Sequence, residues 1–404
     1  MKKTFFATSF ALCLVACSAP KSSNTQNTLS PVETQNPNSP QYKPAFAGQT
    51  RITGAKTATA YSTKIVTKAL VKPWSMAALP DGRFLITQKE GVFRIVSPDG
   101  TISNNITGAP TVDAGGQGGL LGVVIDPDFK TNRMIYFVFS EPVEGGNHAA
   151  VAKARLREDE TAIENVEVIY RVTPTHNGKL HNGGKLAFTK DGNLFVSSGE
   201  RSDLSTRPLA QDNTTSLGKI LLITKTGQAV TDPLILPKPN TRPEIFSSGH
   251  RNPLGLAIHP TTGELWSSEM GPRGGDEINI IRRGVNYGWP IITYGIEYSG
   301  ATIGDGITQK AGYEQPVYYW DPVISPGGIT FYTSNNIPEW NNNLFVASLS
   351  GKHIIRLLLD GNKVVGEERL LESEGQRFRD VGMGADGKLY AITDGGRMYC
   401  LSKE

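Results

Sequence analysis

The 404-residue chain is long enough for one large domain or two ordinary ones, and its 44 glycines and 25 prolines argue against a helical protein. Lys2 and Lys3 fall in a segment expected to be removed. Without them the chain has 39 basic and 38 acidic residues, a net charge of +1. That balance excludes a general basic field and with it a nucleic-acid-binding protein.

The N-terminus has a targeting pattern. Lys2 and Lys3 precede a short apolar run, Phe5 to Ala16, too short to span a bilayer. Leu14-Val15-Ala16-Cys17 resembles a bacterial lipoprotein signal, which implies removal of residues 1–16, acylation of Cys17 and a lipid anchor in the membrane. Ser18 after the cysteine resembles outer-membrane sorting, so the expected location is the outer membrane, facing the periplasm or the cell surface. Cys13 leaves with the signal, so Cys400 stays without a disulfide partner and reads as a small buried hydrophobe.

Residues 17–55 read as a disordered tether. Up to about Gln49 the composition is Ser, Asn, Thr, Gln and Pro, with few large apolar residues. About 30 such residues reach roughly 30 Å. Residues 56–404 form the expected folded domain.

In that domain an apolar strand, a polar turn and a second apolar strand recur six times. The copies are Ser75–Gly82 into Phe84–Thr87, Leu121–Pro127 into Met134–Phe137, and Lys185–Phe188 across Asp191-Gly192 into Leu194–Val196. The last three are Leu256–Ile258 across Thr262-Gly263 into Leu265–Trp266, Ile329–Tyr332 across Asn341–Asn343 into Leu344–Val346, and Val381–Met383 across Asp386-Gly387 into Leu389–Ala391. Asp-Gly between apolar runs favours a hairpin because both turn residues accept positive φ. Six copies, some followed by further strands, predict an all-β, six-bladed propeller with four-stranded antiparallel blades.

A propeller gathers loops from every blade around one axial cavity, so functional residues belong at matching rim positions. Gly115–Gly122 is a Gly-rich approach to the second copy and carries Gln117. It is not a phosphate-binding P-loop, because Lys-Ser/Thr and a following helix are absent. His181 enters the first strand of the third copy and Glu200 leaves its second, so a hairpin brings them to one rim as a base and its orienting carboxylate. A turn histidine beside glycines is the plainer alternative.

The fourth copy carries Arg251-Asn252 before its first strand and an acidic Gly/Pro loop, Glu269 to Glu277, after its second. Carboxylates and turned carbonyls suit a hard cation such as calcium, and solvated loop charges are the alternative. Arg377 and Arg379, at alternate positions before the sixth copy, face one side of a strand. With Arg251 they make three guanidinium groups suited to a polycarboxylate ligand.

The motifs GQGGLLG, LHNGGKL with SSGER, GHRNPLG, EMGPRGGDEINIIRRGVNYGWP, PVYYW and RFRDV occur in this order from roughly Tyr61 to Leu401. Together they resemble the soluble pyrroloquinoline-quinone (PQQ) dependent aldose sugar dehydrogenases, the glucose/sorbosone dehydrogenase family. The resemblance implies a six-bladed propeller that uses PQQ and calcium (Ca2+) to oxidise aldose sugars at C1 to lactones. It implies His181 as the general base and Glu200, usually Asp in the family, as its support. PQQ contacts would come from Gln117, Arg251, Asn252, Arg377 and Arg379. Gly271 and Pro272 would give carbonyls to the calcium beside the quinone. Asp276, Glu277 and Tyr287 would mark a second, structural calcium region, and Trp320 an aromatic at the substrate end. The glucose-specific members' lysine after the fifth copy is Ser350 here, with Lys352 two residues on, which leaves one cofactor contact unassigned. The expected partners are the sugar and an electron acceptor, whether a quinone, a cytochrome or a dye, and a monomer is expected rather than a dimer. Two alternatives stay open. One is a lactonase-type hydrolase using the acidic loop as its metal site. The other is a tethered carbohydrate- or protein-binding propeller without catalysis.

Overall fold

Six sheets, each built on an antiparallel blade, stand around a central axis, one for each repeated hairpin. The computed structural model describes Met1 and residues 29–231 and 240–404. The signal segment, its cleavage site and Cys17 lie outside the described residues.

The innermost strands are Pro73–Ala78, Leu120–Ile125, Leu186–Phe188, Pro253–Ile258, Pro326–Phe331 and Phe378–Met383. Each touches the next, and the sixth touches the first, so the ring is closed. In five blades the second strand is buried along its whole length, as in Phe84–Gln88 and Leu344–Ser348. A sheet covered on both faces needs an apolar run rather than alternation. The core is accordingly divided. Six large clusters lie one between each neighbouring pair of blades, from Phe93 against Phe137 between the first two to Tyr390 against Phe84 between the last and the first.

Blade one has three regular strands, and bridges from Ile102 and Ile106 take the fourth position. Blade six takes its outermost strand from the start of the domain. Tyr61–Thr67 pairs antiparallel with Met398–Lys403, running from Tyr61 opposite Lys403 to Thr67 opposite Met398. Cys400 is a buried free thiol in that sheet.

The tether reading fails for its second half. Residues 29–55 pack onto blades four and five, and Leu29–Pro31 and Thr53–Gly54 extend the sheet of blade five to six strands. Polar anchors hold this strap. The Asp321 carboxylate accepts the N–H groups of Asn38 (2.6 Å) and Ser39 (2.9 Å), Gln49 Nε2 donates to the Pro316 carbonyl (2.9 Å), and Glu33 pairs with Arg369 (2.7 Å).

Beneath the loop face, a charge pair crosses from one side of the ring to the other. Lys185, entering blade three, donates to Asp380 of blade six at 2.6 Å. The same carboxylate oxygen accepts from Ser75 Oγ (3.0 Å) and the Met76 N–H (3.1 Å) of blade one. Both charged side chains are buried.

Candidate active site

The blade-three turn brings His181 and Glu200 together as expected. His181 Nδ1 and Glu200 Oε1 are 2.5 Å apart, and both side chains are almost wholly buried. His181 adopts a left-handed backbone, φ 45°, which costs a non-glycine residue energy and is found where surroundings enforce a special geometry. Three contacts enforce it here. The His181 N–H donates to Gln117 Oε1 (2.8 Å), the Gly183 N–H donates to Asn252 Oδ1 (3.1 Å), and the Glu200 N–H donates to the Arg251 carbonyl (2.9 Å). Gly199 must be glycine, because a Cβ there would sit 2.2 Å from the His181 carbonyl oxygen.

Burial lowers the His181 pKa to about 4, and the nearby Arg251 charge adds to this; Glu200 opposes both and does not overcome them. His181 is therefore a neutral imidazole near pH 7. Glu200 accepts the proton on Nδ1, which leaves Nε2 as the lone-pair nitrogen.

Beside this turn lies a cavity of about 370 Å³, bordered on its histidine side by Gln117, Asn182 and Gly183. Four cations line it, Lys72, Lys89, Arg377 and Arg379, against one carboxylate, Asp394. Arg377 and Arg379 do face one side, and both bond to Asp394, at 3.0 and 2.8 Å. Trp74, Leu254, Met270 and Leu349 give apolar walls. Asn182 Nδ2 and Glu200 Oε2 are buried without a hydrogen-bond partner in the structure. An excess of cations and an orphan donor at a cavity with apolar walls fit a polyanionic ligand with apolar surface.

Arg251 stands apart from the other two arginines. Its guanidinium donates to the carbonyls of Met270 (3.1 Å) and Gly271 (2.7 Å) and lies over the Trp289 ring. The cavity is thus served by two arginines and two lysines rather than three arginines, with Arg251 one residue away behind Met270. Glu269, between strand and loop, accepts from His250 (2.9 Å) and from the Arg251 N–H, which fixes the Arg-Asn turn.

The acidic loop divides. Asp276 accepts three backbone N–H groups, from Gly271, Ile324 and Ser325, each at 2.7 Å. It is a strut between blades four and five, and its expected place as a metal ligand does not fit this geometry. Burial raises its pKa to about 7 despite those bonds. The Tyr287 hydroxyl donates to the Ile280 carbonyl (2.5 Å) and accepts from the Arg282 N–H (2.9 Å), so it too is taken up by backbone. Glu277 differs. It shares a cavity of about 10 Å³ with Glu269, Gly271 and Tyr287, and burial together with the Glu269 charge pushes its pKa up to about 8. Among the described residues, no group of three or more His, Cys, Asp or Glu side chains could hold a metal ion.

Trp320 is a correction. It lies on the outermost strand of blade four, buried against Tyr318, with its indole N–H donating to Glu367 (3.1 Å). It is a core residue away from the cavity. Ser350 bonds Ser325 Oγ (2.8 Å), and Lys352 is exposed. Neither replaces the missing lysine. Sequence reasoning missed Lys72, Lys89 and Asp394, and it missed Arg201. Arg201 is buried and ties the His181 loop to blade two through Gly178 (2.6 Å), Asn147 (2.5 Å) and Asn182. The SSGER motif contained Arg201, and its position next to Glu200 was the one available signal.

The chain resembles known proteins over most of its length. The glucose/sorbosone dehydrogenase family model matches residues 70–400. The chain is 40% identical over 334 residues to the aldose sugar dehydrogenase YliI of Escherichia coli K12, covering 82% of this chain and 89% of that protein. Among solved structures, the apo-form of the soluble aldose sugar dehydrogenase of Escherichia coli superposes with a TM-score of 0.81 at 39% identity. It covers 85% of this chain and 100% of its own. The PQQ-bound aldose sugar dehydrogenase of Streptomyces coelicolor gives a TM-score of 0.69 at 29% identity, over 86% of this chain and 99% of its own. With six closed blades and a family match across nearly the whole ring, the chain belongs to the glucose/sorbosone dehydrogenase family.

Proposed function

We propose that this sugar dehydrogenase oxidises aldoses at C1 to lactones with PQQ and calcium. A neutral, buried histidine oriented by a buried carboxylate, beside a cavity where cations outnumber carboxylates four to one, is what supports this most directly. The Streptomyces coelicolor relative is described with PQQ bound, which supports the same cofactor here.

When bound, PQQ supplies the hydride acceptor and calcium a Lewis acid next to it. Arg377 and Arg379 would hold its carboxylates, exchanging part of their bond to Asp394 for the ligand. Asn182 Nδ2 is a ready donor, and Gln117 and Asn252 keep the turn in place. For calcium, the Glu269–Glu277 pair fits a hard cation, because one would relieve the repulsion between the two carboxylates. The Gly271 carbonyl already accepts from Arg251 and keeps one lone pair for a cation, which the Pro272 carbonyl would share.

His181 Nε2 takes the C1 hydroxyl proton. Glu200 fixes the tautomer and stabilises the imidazolium that forms. The lowered pKa sets the pH dependence. The neutral base is present above about pH 4 and is lost as pH falls through that value, so kcat/KM stays flat toward neutrality and drops on the acid side. Since Glu200 holds the pKa up, E200Q moves the acid limb to lower pH and weakens the base. Adding PQQ and calcium to the apo-protein and following dye reduction with several aldoses tests the whole reading. It fails if no aldose reduces the dye, and the role of His181 fails if the E200Q limb does not move.

Export and lipid anchoring through Cys17 rest on the N-terminal sequence. In cells, the protein is expected to incorporate labelled palmitate and to fractionate with membranes, and C17A is expected to lose both. Labelling retained in C17A would refute the anchor.

A further inference from the structure

Lys89 follows the strand Phe84–Gln88 of blade one, at the turn closed by the Gly91 N–H on the Gln88 carbonyl. Its ammonium donates to the Gly116 carbonyl at 2.6 Å, inside the Gly-rich loop that presents Gln117. It lines the same cavity as Arg377 and Arg379. The other three lining cations are each matched by a carboxylate. Lys72 meets Glu90 at 2.7 Å, and the two arginines share Asp394. Among the described residues the Lys89 ammonium bonds only that carbonyl.

Its surroundings are cationic. Burial, Lys72 and Arg379 disfavour the ammonium, while Glu90 and Asp394 favour it less strongly, and its pKa falls below the ordinary lysine value. A half-buried cation among like charges, short of a counter-ion and facing a cavity, is matched to an anion that arrives there. Across the ring, Ser350 turns to Ser325 and Lys352 stays outside the lining, so blade five sends no cation into the cavity.

We propose that Lys89 is a cofactor-binding residue whose ammonium pairs with a carboxylate of PQQ, filling from blade one the contact left unassigned at Ser350. This rests on the PQQ reading above. As a compact charge on a flexible stem, lysine can leave the Gly116 carbonyl for a stronger acceptor without the fixed fork that an arginine requires.

The test is PQQ binding by apo-protein, followed through quenching of tryptophan fluorescence, in wild type, K89M and K89R. K89M is expected to bind about tenfold or more weakly, with a shallower salt dependence, and K89R to stay within about threefold of wild type. Thermal melting of the three apo-proteins shows whether K89M folds as wild type does. If it does not, the comparison of wild type with K89R decides. Wild-type affinity then falls as pH rises toward the ordinary lysine value of 10.5, and K89R affinity does not. Lys72, Glu90, Arg379 and Asp394 are the same in both proteins, so Lys89 alone accounts for the difference. Equal affinity in wild type and folded K89M, or identical pH curves in wild type and K89R, overturns the assignment and leaves the PQQ reading intact. No binding by wild type overturns the PQQ reading itself.

Discussion

His181→Ala lowers turnover by about 10²–10⁴-fold, the range a positioned general base contributes, while PQQ binding stays within a few-fold of wild type. The asymmetry follows from the site. Among the described residues the side chain bonds only Glu200, and the contact to Gln117 uses the backbone N–H, which alanine keeps. The cations of the cavity lie on blades one and six and are untouched by the change. Dye reduction gives turnover, and quenching of tryptophan fluorescence gives binding. Turnover above a tenth of wild type would remove His181 from the proton transfer. Loss of binding in parallel would make it a ligand-holding residue.

The second large effect is on stability. Asp380→Ala is expected to cost about 3–5 kcal/mol, because it leaves the Lys185 ammonium buried without its counter-charge. The Ser75 hydroxyl and the Met76 N–H lose an acceptor at the same time. Lys185→Met alone strands the carboxylate but keeps its hydrogen bonds from blade one, so it costs less. The double variant K185M/D380A costs less than the sum of the single changes, since no charge is then left unpaired. Urea unfolding measures all three. A D380A cost under about 1 kcal/mol would show that water reaches the pair and screens it.

The propeller was legible because hairpin turns and strand burial leave strong marks. Asp191-Gly192 and Asp386-Gly387 sit between runs such as Leu194–Val196 and Leu389–Ala391, which are apolar on both faces because neighbouring blades cover both. His181 and Glu200 were legible for a related reason: the two ends of one hairpin must emerge on the same rim. The strap at 29–55 was not. Its polar composition is that of a tether, yet Asp321 and Gln49 hold it through hydrogen bonds to backbone groups, which composition does not record. Asp276 misled in the opposite direction. It looked like a ligand in an acidic loop, and its partners are N–H groups from its own loop and from residues about fifty positions away. Trp320 carried an aromatic signal equally suited to a core or a site, and the fold placed it on an outer strand. Lys89 carried no signal in the sequence, because its cavity is completed by residues nearly three hundred positions downstream.

The pairing of Tyr61–Thr67 with Met398–Lys403 has a kinetic consequence. The sheet that closes the ring needs both extremities of the domain, so a chain emerging from N to C cannot seal it until its last residues arrive. Until then the blade-six face of Tyr61–Thr67 and the flank of blade one stay bare. Under the export proposed above, this links folding to the completion of translocation. A chain shortened by its final strand would be left with an open ring and an unpaired edge, prone to pair with other chains. Because those extremities meet, joining them and reopening the chain at an exposed turn between blades should give a permuted ring with the same cavity.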